Sequence, residues 1–191
     1  KHYVYGLDSL NDYYDKSLKI DRLKLLRKKK NFSFRKIDIS KYRLLDTIFK
    51  KNKFEVVINL AAYAGVGYSM KHPEKYIYTN EIGFFNILEL SRKYKIKKLL
   101  YASSSSIYGA NKLPFRETQN TDSPLSLYGA TKKNNEILAY YYSNQFKLPT
   151  FGIRFFTVYG PYGRPDLSIF KFCNLLSEAK LYSKFTSPFV L

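Results

Sequence analysis

Two apolar runs constrain the fold more than anything else in this chain. FEVVINLAA (54–62) and KKLLYAS (97–103) are continuous rather than alternating, and helical spacing flanks both. A strand reads continuously apolar when both its faces are covered, which is the pattern of parallel sheets with crossover helices. Shorter strand patterns stand at Tyr3–Leu7, Phe32–Ile39 and TFGIRFF (150–156). Between them the spacing predicts helices over 15–30, with Leu18, Leu23, Leu25 and Leu26 on one stripe, and over 40–51 with Ser40 as N-cap. Further helices are expected through 94 after Pro73, over 128–146, and through about 178. Strands and helices in this alternation predict an α/β fold, a doubly wound parallel sheet. Ligands of such sheets sit beyond the carboxyl ends of the strands. The polar residues that follow these strands are Asp8, Asp38, Asn59, Ser103–Ser106 and Thr157.

Composition removes several function classes. No apolar run approaches the ~20 residues a membrane helix needs. A single Cys173 excludes a disulfide framework and fits a reducing cytoplasm; with two histidines, no metal site is expected. The net charge of +18, from 33 Lys and Arg against 15 Asp and Glu, is scattered. Its densest run, Arg27–Lys30, falls where a helix ends and cations suit the dipole, so solvated lysines are preferred to a nucleic-acid surface.

Tyr-x-x-x-Lys occurs three times: Tyr94/Lys98, Tyr108/Lys112 and Tyr128/Lys132. Four-residue spacing brings two side chains together only on a helix. Gly109 and Pro114 argue against a helix after Tyr108, and Tyr94 lies at a helix end before a strand. Only Tyr128/Lys132 opens a well-patterned helix. A phenol with a pKa of ~10 is a poor base at neutral pH, and a nearby ammonium favours the phenolate. With hydroxyls from YASSSSIYG, the pair has what proton transfer at a secondary alcohol requires.

The stretches GLDSLNDYYD, INLAAYAGVGYS, YASSSSIYG, SLYGATKKNNE and RFFTVYGPYGRPDLSIFKF together resemble the extended short-chain dehydrogenase/reductase family. Within it they look most like nucleotide-sugar epimerases that act on UDP-glucuronate. The resemblance implies a Rossmann-like fold and NAD as cofactor. It implies Tyr128, Lys132 and Ser104 as the catalytic group, interconverting UDP-glucuronate and UDP-galacturonate by transient oxidation at C4. Asp8, Asp38, Ile39, Leu60, Ala61, Ala62 and Asn80 would bind the cofactor together with Tyr128 and Lys132. Ser105, Ser106, Thr157 and Arg164 would contact the UDP-sugar. Dehydratases of the family carry Asp-Glu, and the decarboxylases a Glu, where Ser105 and Ser106 stand, which favours epimerisation. Relatives dimerise through helices that here would cover about 74–94 and 126–146.

Departures from the pattern are equally specific. None of the nine glycines forms the Gly-x-x-Gly-x-x-Gly turn that holds the cofactor pyrophosphate. The chain is expected to lack the family's first strand and most of its C-terminal substrate domain. Residues 1–180 then form a partial NAD-binding domain, 181–191 a divergent tail, and activity is impaired. Gly67 stands where uronate epimerases usually carry Arg. The alternative enzyme is a UDP-glucose/UDP-galactose 4-epimerase. The alternative of another class is a non-catalytic remnant or a basic binding module.

Overall fold

The computed structural model describes residues 2–185, which form two compact units. The first, the sheet unit, comprises residues 1–9 and 31–156; the second, the helical unit, comprises residues 10–30 and 157–191. Residues 186–191 of the expected tail lie outside the described residues.

The sheet unit holds β1 (Val4–Asp8), β2 (Phe32–Lys36), α2 (Tyr42–Lys51), β3 (Val56–Asn59), α3 (Val66–Lys71), α4 (Pro73–Tyr76), α5 (Phe84–Lys93), β4 (Lys98–Ser104), α6 (Leu127–Phe146) and β5 (Thr150–Phe155). The helical unit holds α1 (Lys16–Arg27) and α7 (Ser168–Phe185), so the last helix continues past the expected 178. Of the expected α1 stripe only Leu23 is buried; Leu18, Leu25 and Leu26 are exposed.

Every strand pairing is parallel, as the apolar runs predict. The strands form two sheets, β1–β2 and β3–β4–β5. Each of β1 and β3 is therefore bonded along one side only, and among the described residues no strand joins them. Both sheets nevertheless belong to one core. Leu45, Ile48 and Phe49 of α2, spaced i, i+3, i+4, pack with Phe84, Ile87, Leu88 and Leu90 of α5 and with Leu99 and Tyr101 of β4. α5 and α6 lie against the three-stranded sheet on the face that carries Val57, Leu99 and Tyr101. Strand residues alternate between faces. On the opposite face Ile58, Phe151, Ile153 and Phe155 are exposed.

Three element boundaries differ from the sequence expectation, each for a local reason. β2 stops at Lys36 rather than Ile39 because Asp38 folds back, its Oδ1 accepting from the Ser40 amide at 2.8 Å. This Asx turn also displaces Ser40 as N-cap; Lys41 takes that position without a side-chain cap. β3 ends at Asn59, and the run Leu60–Ala62 leaves the sheet as a loop. The stretch from Pro73 to Tyr94 is divided into α4, a π-helical turn over Ile77–Gly83, and α5, and the expected loop before Pro73 carries α3. His72, non-helical at φ −136° and ψ 59° before Pro73, separates α3 from α4. The π turn is one residue wider per turn than an α-helix, a feature frequent at functional sites.

Candidate active site

α6 carries the polarity that marks the site. Its buried stripe is polar at the start, with Thr131, Lys132 and Asn135, and becomes Ala139 and Tyr142 farther on. Buried polar side chains at the opening of an otherwise amphipathic helix are a local cost that folding alone does not call for. Ser126 caps the helix, its Oγ accepting from the Gly129 amide at 3.0 Å. Tyr128 is then half-buried in the first turn, and Lys132 lies one turn along, 2% exposed.

The other two Tyr/Lys pairs are separated, as their flanking residues predict. Tyr94 caps α5 while Lys98 begins β4, and the Tyr94 hydroxyl donates to Asp46 at 2.9 Å. Tyr108 ends a 3₁₀ turn, Ser105–Tyr108, and Gly109 at φ +56° turns the chain away from any helix.

That 3₁₀ turn sits against the start of α6. Ser104 ends β4, 6% exposed, and its Oγ accepts from the Ser106 amide at 3.1 Å. Fixing the oxygen as acceptor leaves the hydroxyl hydrogen as the group that can donate. Ser105 and Ser106 are half-buried in the turn. A Cβ on Gly129 would lie 2.7 Å from the Ser106 carbonyl oxygen, so the residue after Tyr128 must be small for helix and turn to approach this closely. Tyr76, fully buried, meets the Tyr128 ring edge-on at 6.2 Å and anchors its own hydroxyl on the Gly65 carbonyl at 2.8 Å.

The Lys132 ammonium donates to the Ala102 carbonyl at 2.7 Å. Burial pushes its pKa down to about 8, with Glu81 opposing. Glu81, on the π turn, is raised by burial, against a hydrogen bond from Asn134 and the charge of Lys132. Asn80, 1% exposed, accepts from the Tyr63 amide at 2.8 Å and donates to the Tyr63 carbonyl at 2.9 Å and to Thr131 Oγ1 at 3.1 Å. Both its amide hydrogens and its carbonyl are engaged, so it shapes the loop after β3 and ties that loop to α6.

The remaining expected cofactor residues follow three strands. Asp8 is exposed at the end of β1, and Asp38 and the buried Ile39 follow β2. Leu60, 64% exposed, and the half-buried Ala61 and Ala62 follow β3. Asn86, absent from the sequence reading, holds this region: its amide donates to the Ile39 carbonyl at 2.9 Å inside the core. Gly83 lets α5 reach the same residue, since a Cβ there would stand 2.7 Å from Ile39 Cγ1.

Thr157 and Arg164 belong to the helical unit. Thr157 is exposed. Arg164 forks onto Asp166 at 3.0 and 2.8 Å and lies 5.5 Å over the Tyr13 ring. Sequence reasoning also passed over Glu136, Arg154 and Tyr76. Glu136 carried a readable signal, since Tyr128, Lys132 and Glu136 recur every four residues on one helix face.

A half-buried phenol, an ammonium one turn away and a strand-end hydroxyl with a free proton are the groups for acid–base work at an alcohol. The chain is 57% identical over 176 residues to protein CapI of Staphylococcus aureus, 92% of this chain and 52% of that protein. It is 48% identical over 177 residues to a UDP-glucuronate 4-epimerase of Thermodesulfobacterium geofontis, 93% of this chain and 55% of the relative. In structure it superposes on the UDP-glucuronic acid 4-epimerase of Bacillus cereus, solved with UDP-glucuronic acid and NAD. The TM-score is 0.85 at 31% identity, over 92% of this chain and 55% of that one. The chain thus spans about half the length of the relatives it matches. A family model matches residues 1–186, and the chain belongs to the NAD dependent epimerase/dehydratase family.

Proposed function

We propose that this chain carries the catalytic centre of a UDP-glucuronate 4-epimerase, with Tyr128, Lys132 and Ser104 as its working groups. The observation that carries the reading is the close seat of α6 on the serine turn. Gly129, next to Tyr128, meets the Ser106 carbonyl of the turn that follows Ser104, and Lys132 lies one helical turn behind Tyr128. Similarity to UDP-glucuronate 4-epimerases from bacteria and plants supports the substrate class.

NAD would be held by residues that follow β1, β2 and β3. Asp8 at the end of β1 offers a carboxylate to ribose hydroxyls, and an acid there disfavours a 2′-phosphate. Asp38 and Ile39 fit the adenine side, and Leu60–Ala62 the cleft wall. The backbone amides that would take a pyrophosphate are not supplied by a glycine turn in this sequence. When bound, NAD supplies reversible hydride acceptance from C4 of the sugar. Tyr128 takes the proton of the 4-hydroxyl and returns it after the sugar has turned. Ser104 donates to that same oxygen. Lys132 supplies an ammonium one helical turn from that phenol. Ser105, Ser106, Thr157 and Arg164 are assigned to the substrate, Arg164 after release from Asp166. An exposed apolar face on the helices, with Ile77, Tyr78, Ile82, Phe85, Ile137, Tyr140 and Tyr141, suits a homodimer. Among the described residues no helix is long and apolar enough to cross a membrane. We place the protein in the cytoplasm, supplying a uronate donor for polysaccharide assembly.

The test is conversion of UDP-glucuronate to UDP-galacturonate by the purified chain with added NAD, followed by chromatography. Tyr128→Phe is expected to lower the rate by roughly 10²–10⁴-fold. Conversion that survives this substitution would falsify the reading. UDP-glucose run in parallel tests the second reading, which rests on the structural match to the UDP-glucose 4-epimerase of Thermotoga maritima at TM-score 0.73 and 29% identity.

Gly67 offers a sharper probe of substrate choice. A Cβ built there meets nothing within 4 Å, so a side chain can leave the backbone at Gly67 without a clash. A guanidinium added near the substrate carboxylate is expected to lower KM for UDP-glucuronate about tenfold, within the ~1.5–3 kcal/mol of a charge-assisted hydrogen bond. KM for UDP-glucose should not move. Equal changes for both sugars would argue against a uronate substrate.

A further inference from the structure

Lys132 and Glu136 are one turn apart on α6, and they bond to consecutive residues of β4. Lys132 Nζ donates to the Ala102 carbonyl at 2.7 Å, and Ser103 Oγ donates to Glu136 Oε1 at 2.6 Å. The helix is thereby stitched to the strand at two points. Arg154 of β5 closes the arrangement. Its Nε donates to Glu136 Oε1 at 3.0 Å and its Nη2 to Oε2 at 2.9 Å. Its Nη1 donates to the Tyr108 hydroxyl at 3.1 Å, with the guanidinium 5.1 Å over the Tyr108 ring. One carboxylate therefore joins α6, β4, β5 and the 3₁₀ turn, the elements that carry or support Tyr128, Lys132 and Ser104–Ser106.

This pair is not ordinary surface electrostatics. The Glu136 and Arg154 side chains are only 17% and 24% exposed, and both carboxylate oxygens are occupied. Burial pushes the Glu136 carboxyl up, but the Arg154 guanidinium and the Ser103 hydroxyl outweigh it and hold it below its usual range. Forked contacts of this kind fix geometry as well as charge. Glu136 is not available to the reacting atoms, because Ser103 and Arg154 already occupy both its carboxylate oxygens.

We infer that Glu136 is a positioning residue: with Ser103 and Arg154 it fixes the register of α6 on β4, and so the placement of Tyr128 and Lys132 against Ser104. The inference rests on the proposed epimerase reading for the roles of those three groups. Its geometry does not depend on turnover.

Lys132 is the reporter, because its depressed pKa depends on burial against Ala102. The full chain, labelled with ¹³C and ¹⁵N at lysine, is titrated by NMR, with Lys132→Arg assigning the resonance. In Glu136→Ala the helix is released, and Lys132 should move from about 8 toward the ordinary lysine value of 10.5. Glu136→Gln, which keeps an acceptor for Ser103, should move it less. Turnover should fall at least tenfold with KM within twofold, as displacement of catalytic groups by an ångström can cost far more. If Glu136→Ala does not fold, Ser103→Ala and Arg154→Lys each remove one arm of the clamp and should move Lys132 the same way.

The direction of the shift decides the matter. Loss of a nearby negative charge alone would lower the lysine pKa. A folded variant whose Lys132 titrates as in the parent chain, or lower, overturns the inference. A parent chain without epimerase activity whose Lys132 still moves in the variants would retain the clamp and remove the epimerase reading.

Discussion

Lys132→Met is expected to make the chain more stable by roughly 2 kcal/mol at pH 7 and, on the proposed reading, to abolish epimerisation. The lysine is 2% exposed and its ammonium is held by a neutral carbonyl at 2.7 Å. Burial moves its pKa from 10.5 to about 8, against the opposing charge of Glu81. That gap corresponds to roughly 3 kcal/mol of penalty while the group is charged in both states. Methionine fills the same channel without charge, but the lost hydrogen bond to Ala102 returns about 1 kcal/mol.

The pH dependence follows from the direction of the shift. Below about 8 both folded and unfolded chains hold the proton, and the full penalty applies. Between about 8 and 10.5 the unfolded chain binds more protons than the folded one, so stability rises with pH. Above 10.5 the penalty is gone. The advantage of Lys132→Met should therefore be largest below pH 8 and fade through that window. Urea denaturation of both chains at a series of pH values measures it, and no gain at pH 7 would sink the argument. A residue that costs stability where it stands, yet opens the stripe shared with Tyr128, fits the trade of stability for activity at functional sites.

Gly109→Ala should destabilise the sheet unit by about 3–5 kcal/mol, through backbone strain and a steric clash together. Gly109 has φ +56° and ψ −128°, a conformation essentially closed to residues with a side chain. A Cβ there would also stand 2.3 Å from the Ser123 carbonyl oxygen, a backbone atom that cannot rotate away. Ser123 and Pro124 lead directly into Ser126, the cap of α6, so the displaced loop should shift the helix that carries Tyr128. Thermal unfolding of Gly109→Ala beside Gly160→Ala separates the two causes. Gly160 has φ +133° but open space at its Cβ, so it should show the strain alone and a smaller loss. Equal losses at the two sites would mean that the contact with Ser123 carries no weight.

Much of the site was legible because two simple periodicities write it. The i, i+4 spacing of Tyr128 and Lys132 means something only on a helix, and Gly109 and the strand after Tyr94 removed the other two pairs on local grounds. Strand ends marked Asp8, Asp38 and Ser104 because parallel sheets collect polar residues there. The breaks were not legible. Asp38 ended β2 through a turn with Ser40, and a π turn interrupted the stretch before Tyr94 at Asn80, whose partners Tyr63 and Thr131 are 17 and 51 residues away. Periodicity reports neighbours along the chain and carries no record of such distant hydrogen bonds.

The sequence by itself determined the α/β class, the parallel pairing and the placing of Tyr128 and Lys132 one turn apart on a helix, because each rests on residues close in the chain or on burial of a whole run. The tertiary structure alone decided that β1–β2 and β3–β4–β5 form separate sheets around one core. It alone put Lys132 on the Ala102 carbonyl and Glu136 between Ser103 and Arg154. Those contacts depend on how closely α6 can approach β4 and the turn after it, and the missing Cβ at Gly129 against Ser106 and the carboxylate of Glu136 against Ser103 act from positions that no local pattern connects.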